Sequence, residues 1–110
     1  MGLNTRFVEI EPPRSEIDSL TEPVVIEFGT AWCAHCIAAQ PLIATAFASH
    51  PQVRHLRIED GPGRRLGRSF RVKLWPTLIF LCAGGEVGRL VRPANASAIE
   101  QALAQIDGAA

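Results

Sequence analysis

Apolar positions along the chain switch between two periods, and the switches mark out its elements. From Arg6 to Glu11 apolar residues (Phe7, Val8, Ile10) alternate with charged ones, which predicts a short half-buried strand closed by Pro12-Pro13. Ser15-Glu16-Ile17-Asp18 has the form of a capping box and predicts a brief helix to about Leu20, stopped by Thr21-Glu22-Pro23. Val24–Phe28 is apolar except for Glu27, the mark of a strand buried on both faces. From Ala34 to about Ser49 the period lengthens, and Ile37, Ala38, Leu42, Ile43 and Phe47 form a helical stripe. Pro41 inside that helix removes an N–H and predicts a kink, and His50-Pro51 ends it.

Val53 to Glu59 returns to strand alternation, Gly61-Pro62-Gly63 turns the chain, and Arg64 to Phe70 reads as a short basic helix. Thr77–Cys82 is a strongly apolar strand. After a turn at Ala83-Gly84-Gly85, Glu86–Val91 should run back beside it as a hairpin. A second capping box, Ser97-Ala98-Ile99-Glu100, opens a last helix that buries Ile99, Leu103 and Ile106. Helices interleaved with strands and a closing hairpin predict an α/β domain: a central mixed sheet of four to five strands with helices on both faces. The 110 residues suit one domain, 1–110, without repeat or linker.

Charge and cysteine content narrow the chemistry. The 11 basic and 11 acidic side chains cancel, so nothing general draws the chain to nucleic acid or an anionic membrane. No apolar run is long enough to span a bilayer. The Arg64-Arg65…Arg68…Arg71 cluster fits the solvated face of a helix, with anion binding as the other reading. No charged segment followed by an apolar run opens the chain at Met1–Arg6, and three cysteines leave one over from any pair. Both features predict cytoplasmic residence, where a cysteine pair is catalytic and not structural. Cys33 and Cys36 lie where a strand hands over to a helix. That position turns Cys33 toward unpaired backbone N–H groups and the positive end of the helix dipole, which favours a thiolate. Cys36 follows nearly one turn later and can close a small disulfide ring with it.

Trp32-Cys33-Ala34-His35-Cys36, the Pro41 kink, Trp75-Pro76-Thr77 and the Gly85-Glu86 turn together resemble the thioredoxin family, over about Phe7 to Ile106. The resemblance implies a thioredoxin fold and a disulfide oxidoreductase that carries electrons on a Cys33-Cys36 dithiol, with no cofactor or metal. It implies protein disulfides or dithiols as substrates, a thioredoxin reductase or other electron donor as partner, and a monomer. Pro76 would be the family's cis-proline, and Trp75 and Trp32 would line the groove, Trp75 offering backbone N–H and C=O groups to an extended substrate. Trp32 as a core aromatic is the plainer reading.

The departures from the family pattern refine these expectations. His35 stands where thioredoxins have Pro, as in disulfide isomerases. An imidazole there that stabilises the Cys33 thiolate would lift the potential above about −270 mV, toward about −180 mV. Glu27 takes the place of a buried Asp, where a raised pKa would let it shuttle a proton to and from Cys36. His55 falls where relatives often pair that acid with Lys. Pro93 takes the position of the family's Gly after the hairpin, which would alter docking. Two other readings stand beside the oxidoreductase: structural zinc on Cys33, Cys36 and a His, with Cys82 in a core strand, and a binding or assembly module in which turnover is secondary.

Overall fold

The computed structural model describes residues 2–108. Their elements run α1 (Arg14–Asp18), β1 (Val24–Gly29), α2 (Ala34–Phe47), β2 (Arg54–Glu59), α3 (Arg65–Ser69), β3 (Thr77–Cys82), β4 (Gly85–Val91) and α4 (Ala96–Ile106). The four strands form one mixed sheet in the order β2-β1-β3-β4. β1 is parallel to β2 and antiparallel to β3, and β3 is antiparallel to β4.

The strand period decides which face each β1 side chain serves. Val25 joins Ile43 and Phe47 of α2 and Ile99, Leu103 and Ile106 of α4 on one side. Val24, Ile26 and Phe28 point the other way, onto Ile17 of α1 and Leu66 and Phe70 beside α3. Each buried aliphatic or aromatic side chain contributes roughly 1.5–3 kcal/mol. By the same alternation Glu27 falls on the face that α2 covers, buried among apolar side chains.

Several expectations need correction. The segment from Arg6 to Glu11 is not a strand, and the sheet has four strands among the described residues, the lower of the two numbers expected. The N-terminal segment ahead of α1 meets the β2 edge through isolated bridges, Gly2 with Arg54 and Phe7 with Arg57, and Ile10 is exposed. Between the two bridges the Asn4 N–H goes to a side chain, His55 Nδ1, at 2.9 Å, and not to a strand carbonyl. Neither capping box forms. α1 starts one residue before Ser15, after an N-cap Pro13 with φ −70° and no side-chain cap. α4 is capped by Asn95, whose Oδ1 accepts from Ala98 N at 2.8 Å. The stripe of α2 is also rotated: Ile37 and Ala38 face solvent, Leu42 is half-buried, and Cys36, Ala39, Ile43, Ala46 and Phe47 face inward. α2 runs unbroken through Pro41 and ends at Phe47. Val53 is buried but precedes β2.

Candidate active site

Cys33 is the N-cap of α2, with φ −75° and ψ 121°, and its Sγ accepts from the Cys36 N–H at 3.3 Å. A backbone donor aimed at the sulfur, at the positive end of a 14-residue helix, is an arrangement that receives negative charge. Cys36 sits one turn along, more deeply buried, and both thiols are free. Gly29 makes room for it: a Cβ at Gly29 would stand 2.5 Å from Cys36 Sγ and 3.9 Å from the Trp75 Cβ. The last residue of β1 therefore lets the second sulfur and Trp75 approach the strand together. Burial pushes the Cys36 thiol up to about 12, reinforced by its hydrogen bond with Cys33 and by the negative charge of Glu27. The two sulfurs are thus unequal, with the outer one placed to attack and the inner one held protonated.

The rim is aromatic. Trp32 is 75% exposed, so it is no core residue, and it meets Trp75 edge-on with ring centroids 5.7 Å apart. The Trp75 indole N–H donates to Asp60 Oδ2 at 2.9 Å, and the Trp75–Pro76 peptide bond is cis. Pro76 is buried and His35 is exposed on the first turn of α2. The β3/β4 ladder pairs Thr77 with Val91 and extends one step further, where Arg92 N donates to Pro76 O at 2.9 Å.

Beneath the dithiol lies a buried polar cluster. Glu27 Oε1 is 2.9 Å from His55 Nε2 and 3.4 Å from Arg57 Nε, while Oε2 accepts from Gln40 Nε2 at 2.8 Å. Gln40 also donates to the Cys36 carbonyl at 3.0 Å, linking the carboxylate to the helix that carries the dithiol. His55 Nδ1 accepts the Asn4 N–H, so its proton resides on Nε2 and the ring is the neutral tautomer donating to Glu27. Arg57 is the buried counter-charge, with Nη1 on Thr5 O at 2.7 Å and its guanidinium 4.2 Å from the Phe7 ring centroid. Burial drives the Glu27 carboxyl up. The His55 hydrogen bond, the Arg57 charge and the Gln40 hydrogen bond outweigh it, and the group lies below the usual carboxylate range. The expected raised pKa is therefore corrected: Glu27 is ionised, and donors face both of its oxygens. His55, at the position where relatives often pair that acid with Lys, is buried and bonded to Glu27.

A sequence model of the Thioredoxin family matches residues 9–105. The chain belongs to the thioredoxin family. It is 56% identical to a solved structure of thioredoxin 2 from Pseudomonas aeruginosa PAO1 in its reduced form, with a TM-score of 0.86 over 96% of this chain and 98% of that one. Thioredoxin-1 of Saccharomyces cerevisiae is 31% identical over 93 residues, 82% of this chain and 89% of the relative. Thioredoxin H2-1 of Oryza sativa subsp. japonica is 31% identical over 71 residues, 64% of this chain, and the match spans about half (51%) of that longer relative.

Within this thioredoxin-family chain the structure brings Trp32, Cys33, Cys36 and Trp75 into one neighbourhood and sets Glu27 and His55 below it. The residue with left-handed backbone after the hairpin is Arg92, φ 49°, and not Pro93, whose ring forbids that conformation. Arg92 is thus the residue occupying the backbone position where glycine is favoured. Sequence reasoning missed Gly29, Gln40, Arg57, Asp60 and Arg92 as parts of the site. Gln40 carried a signal, being the polar residue four after Cys36 on the same helix face. Among the described residues no three His, Cys, Asp or Glu side chains are gathered so that they could hold a metal ion, and Cys82 lies half-buried at the end of β3.

Proposed function

We propose that this chain is a protein thiol–disulfide oxidoreductase with Cys33 as nucleophile and Cys36 as resolving thiol. The observation that carries the reading is Cys33 Sγ at the N-cap of α2, 3.3 Å from the Cys36 N–H, above a second thiol that burial keeps protonated. The Cys33 thiolate attacks one sulfur of a substrate disulfide. A Cys33–substrate bond forms, and the other substrate sulfur leaves as a thiolate that takes up a proton. Cys36 then loses its proton, attacks Cys33 Sγ and expels the second substrate thiolate. Two electrons and two protons pass to the substrate, and the dithiol becomes the Cys33–Cys36 disulfide. Run in reverse, the steps oxidise a dithiol.

Glu27 serves this cycle through its charge and through Gln40, because a carboxylate held ionised by two hydrogen bonds and the Arg57 charge is a weak proton acceptor. Trp32, Trp75 and Pro76 form the docking rim for an extended substrate segment. His35 beside Cys33 supports a potential less reducing than the thioredoxin value of about −270 mV. A disulfide reductase of this kind suits a reducing compartment such as the cytoplasm, recharged by a thioredoxin reductase or a similar donor. The test is insulin-disulfide reduction with a thioredoxin reductase, alongside a measured potential for the dithiol. Cys33→Ser should abolish turnover, and Cys36→Ser should accumulate a mixed disulfide on Cys33. Turnover that survives Cys33→Ser refutes the mechanism. Cellular function that survives it, with binding retained, favours a binding or assembly module.

A further inference from the structure

Two independent observations meet at Trp75. Arg92 is exposed, and its Nε donates to the Trp75 carbonyl at 2.8 Å while its backbone N–H holds Pro76 O. That tether fixes the guanidinium on the rim and leaves both Nη groups without a partner among the described residues. The second observation is the distribution of charge. Arg64, Arg68, Arg71 and Lys73 line a cleft of about 270 Å³ together with Asp60, and Asp60 is the residue that accepts the Trp75 indole N–H. None of these four cations, nor Arg92, has an ion-pair partner among the described residues, although the chain carries as many acids as bases. Several acidic side chains are engaged elsewhere, Glu27 with Arg57, Glu86 with Arg89, Asp18 with Arg14 and Glu22 with Arg54, and Asp60 is the one acid lining the cleft. Positive charge in excess therefore meets Trp75 at two points, four cations against one carboxylate in the cleft behind its indole N–H and Arg92 on its carbonyl, on a chain of zero net charge.

We propose that this face selects disulfide-bearing polypeptide segments that are acidic beside the reactive cysteine, with Arg92 as a specificity-determining residue. The inference rests on the oxidoreductase reading and adds a substrate class to it. A guanidinium already oriented by its Nε bond loses little freedom when its two Nη groups take a carboxylate in a forked pair. Because Arg92 covers the Trp75 carbonyl, strand pairing through that acceptor is weakened, and charge supplies the recognition in its place. The cations along the cleft draw the acidic chain in and orient it on approach, an effect that ionic strength screens.

The test compares kcat/KM of the full chain on two disulfide peptides, alike except for Glu or Lys on either side of the cysteine. At low ionic strength the acidic peptide should be reduced about tenfold faster. The ratio should fall toward one near 1 M salt, where the screening length is about 3 Å. Arg92→Glu and the pair Arg71→Glu/Lys73→Glu should each lower the ratio, and Arg92→Lys should keep more of it than Arg92→Gln. The ratio is taken within each variant, so partial loss of folded protein cancels. Equal rates for the two peptides at low salt overturn the selection while leaving the oxidoreductase reading intact, as does a ratio unmoved by either charge reversal. Competition by a single-stranded oligonucleotide as strong as by the acidic peptide reassigns the patch to nucleic acid and overturns it too. Reduction of neither peptide removes both readings.

Discussion

Replacing Glu27 by Leu removes the acid that faces Arg57, and the cost follows from the geometry. At 3.4 Å, with an effective dielectric of about 20, the pair attracts by roughly 5 kcal/mol. That attraction offsets the desolvation of two buried groups. Without Glu27, Arg57 keeps only the Thr5 carbonyl and the face of Phe7, and Gln40 and His55 each lose an acceptor. Breaking a buried pair from one side costs about 3–5 kcal/mol. For a chain of this size that is a fall in Tm on the order of 15 °C. Urea unfolding at neutral pH measures it, and Glu27→Leu/Arg57→Met should recover most of the loss, since an uncharged pair leaves no orphan ion. Because the folded pKa of Glu27 is depressed, its stabilisation is present above the ordinary carboxylate value and is lost as pH falls through the folded value. The variant should lack that acid-side slope. The Cys36 thiol should also titrate below about 12 once the neighbouring charge is gone. A loss under about 1 kcal/mol, or a Cys36 titration that does not move, refutes the claim that a buried ionised carboxylate underlies the dithiol.

Gly29→Ala should force Cys36 Sγ away from Cys33, because the added Cβ would stand 2.5 Å from that sulfur. Expected are a loss of about 1–3 kcal/mol in urea unfolding and a fall of about 10²-fold in disulfide reduction; full activity would show that the close approach is not needed. His50 faces Asp107 through Nδ1 and Glu100 through Nε2, so that both ring nitrogens donate to a carboxylate when the ring is protonated. The Asp107 hydrogen bond leads in raising its pKa. This stabilisation is full below the ordinary His value and is lost as pH rises through the raised one. The unfolding midpoint should therefore decline on the alkaline side, and His50→Asn should remove that slope. Asn95→Ala should cost about 1 kcal/mol as a lost helix cap, whereas Ser97→Ala should change stability by less than about 0.5 kcal/mol; thermal unfolding of the two variants separates them.

The elements legible in the sequence were those whose signal is local. Thr77–Cys82 needed only its own apolar run, and α4 showed its face through Ile99, Leu103 and Ile106. The dithiol was legible because Cys33 and Cys36 take their chemistry from a strand-to-helix junction a few residues long. The caps were misread because Ser15 and Ser97 have the right side chains in the wrong places. A proline conformation sets the start of α1, and Asn95 reaches the α4 donors first. The α2 stripe was misread because Ile37 is as apolar as Ile43, and the packing of Ala39, Ile43, Ala46 and Phe47 in the core, with Cys36 against Gly29, turns Ile43 inward and Ile37 out.

By itself, then, the sequence determined the order of helices and strands from α1 onward, the two faces of the sheet and the reactive cysteine pair, since each depends on periodicity or on neighbours along the chain. Tertiary structure alone decided the state of Glu27. Burial by itself raises a carboxyl, and the His55 hydrogen bond and the Arg57 charge, both brought across the β1–β2 ladder, together with Gln40 of α2, reverse the sign. It also placed Arg92 on the carbonyl of Trp75, 17 residues away in the chain. Charges and hydrogen bonds act through space, and the distances that set their balance exist only once the strands are paired.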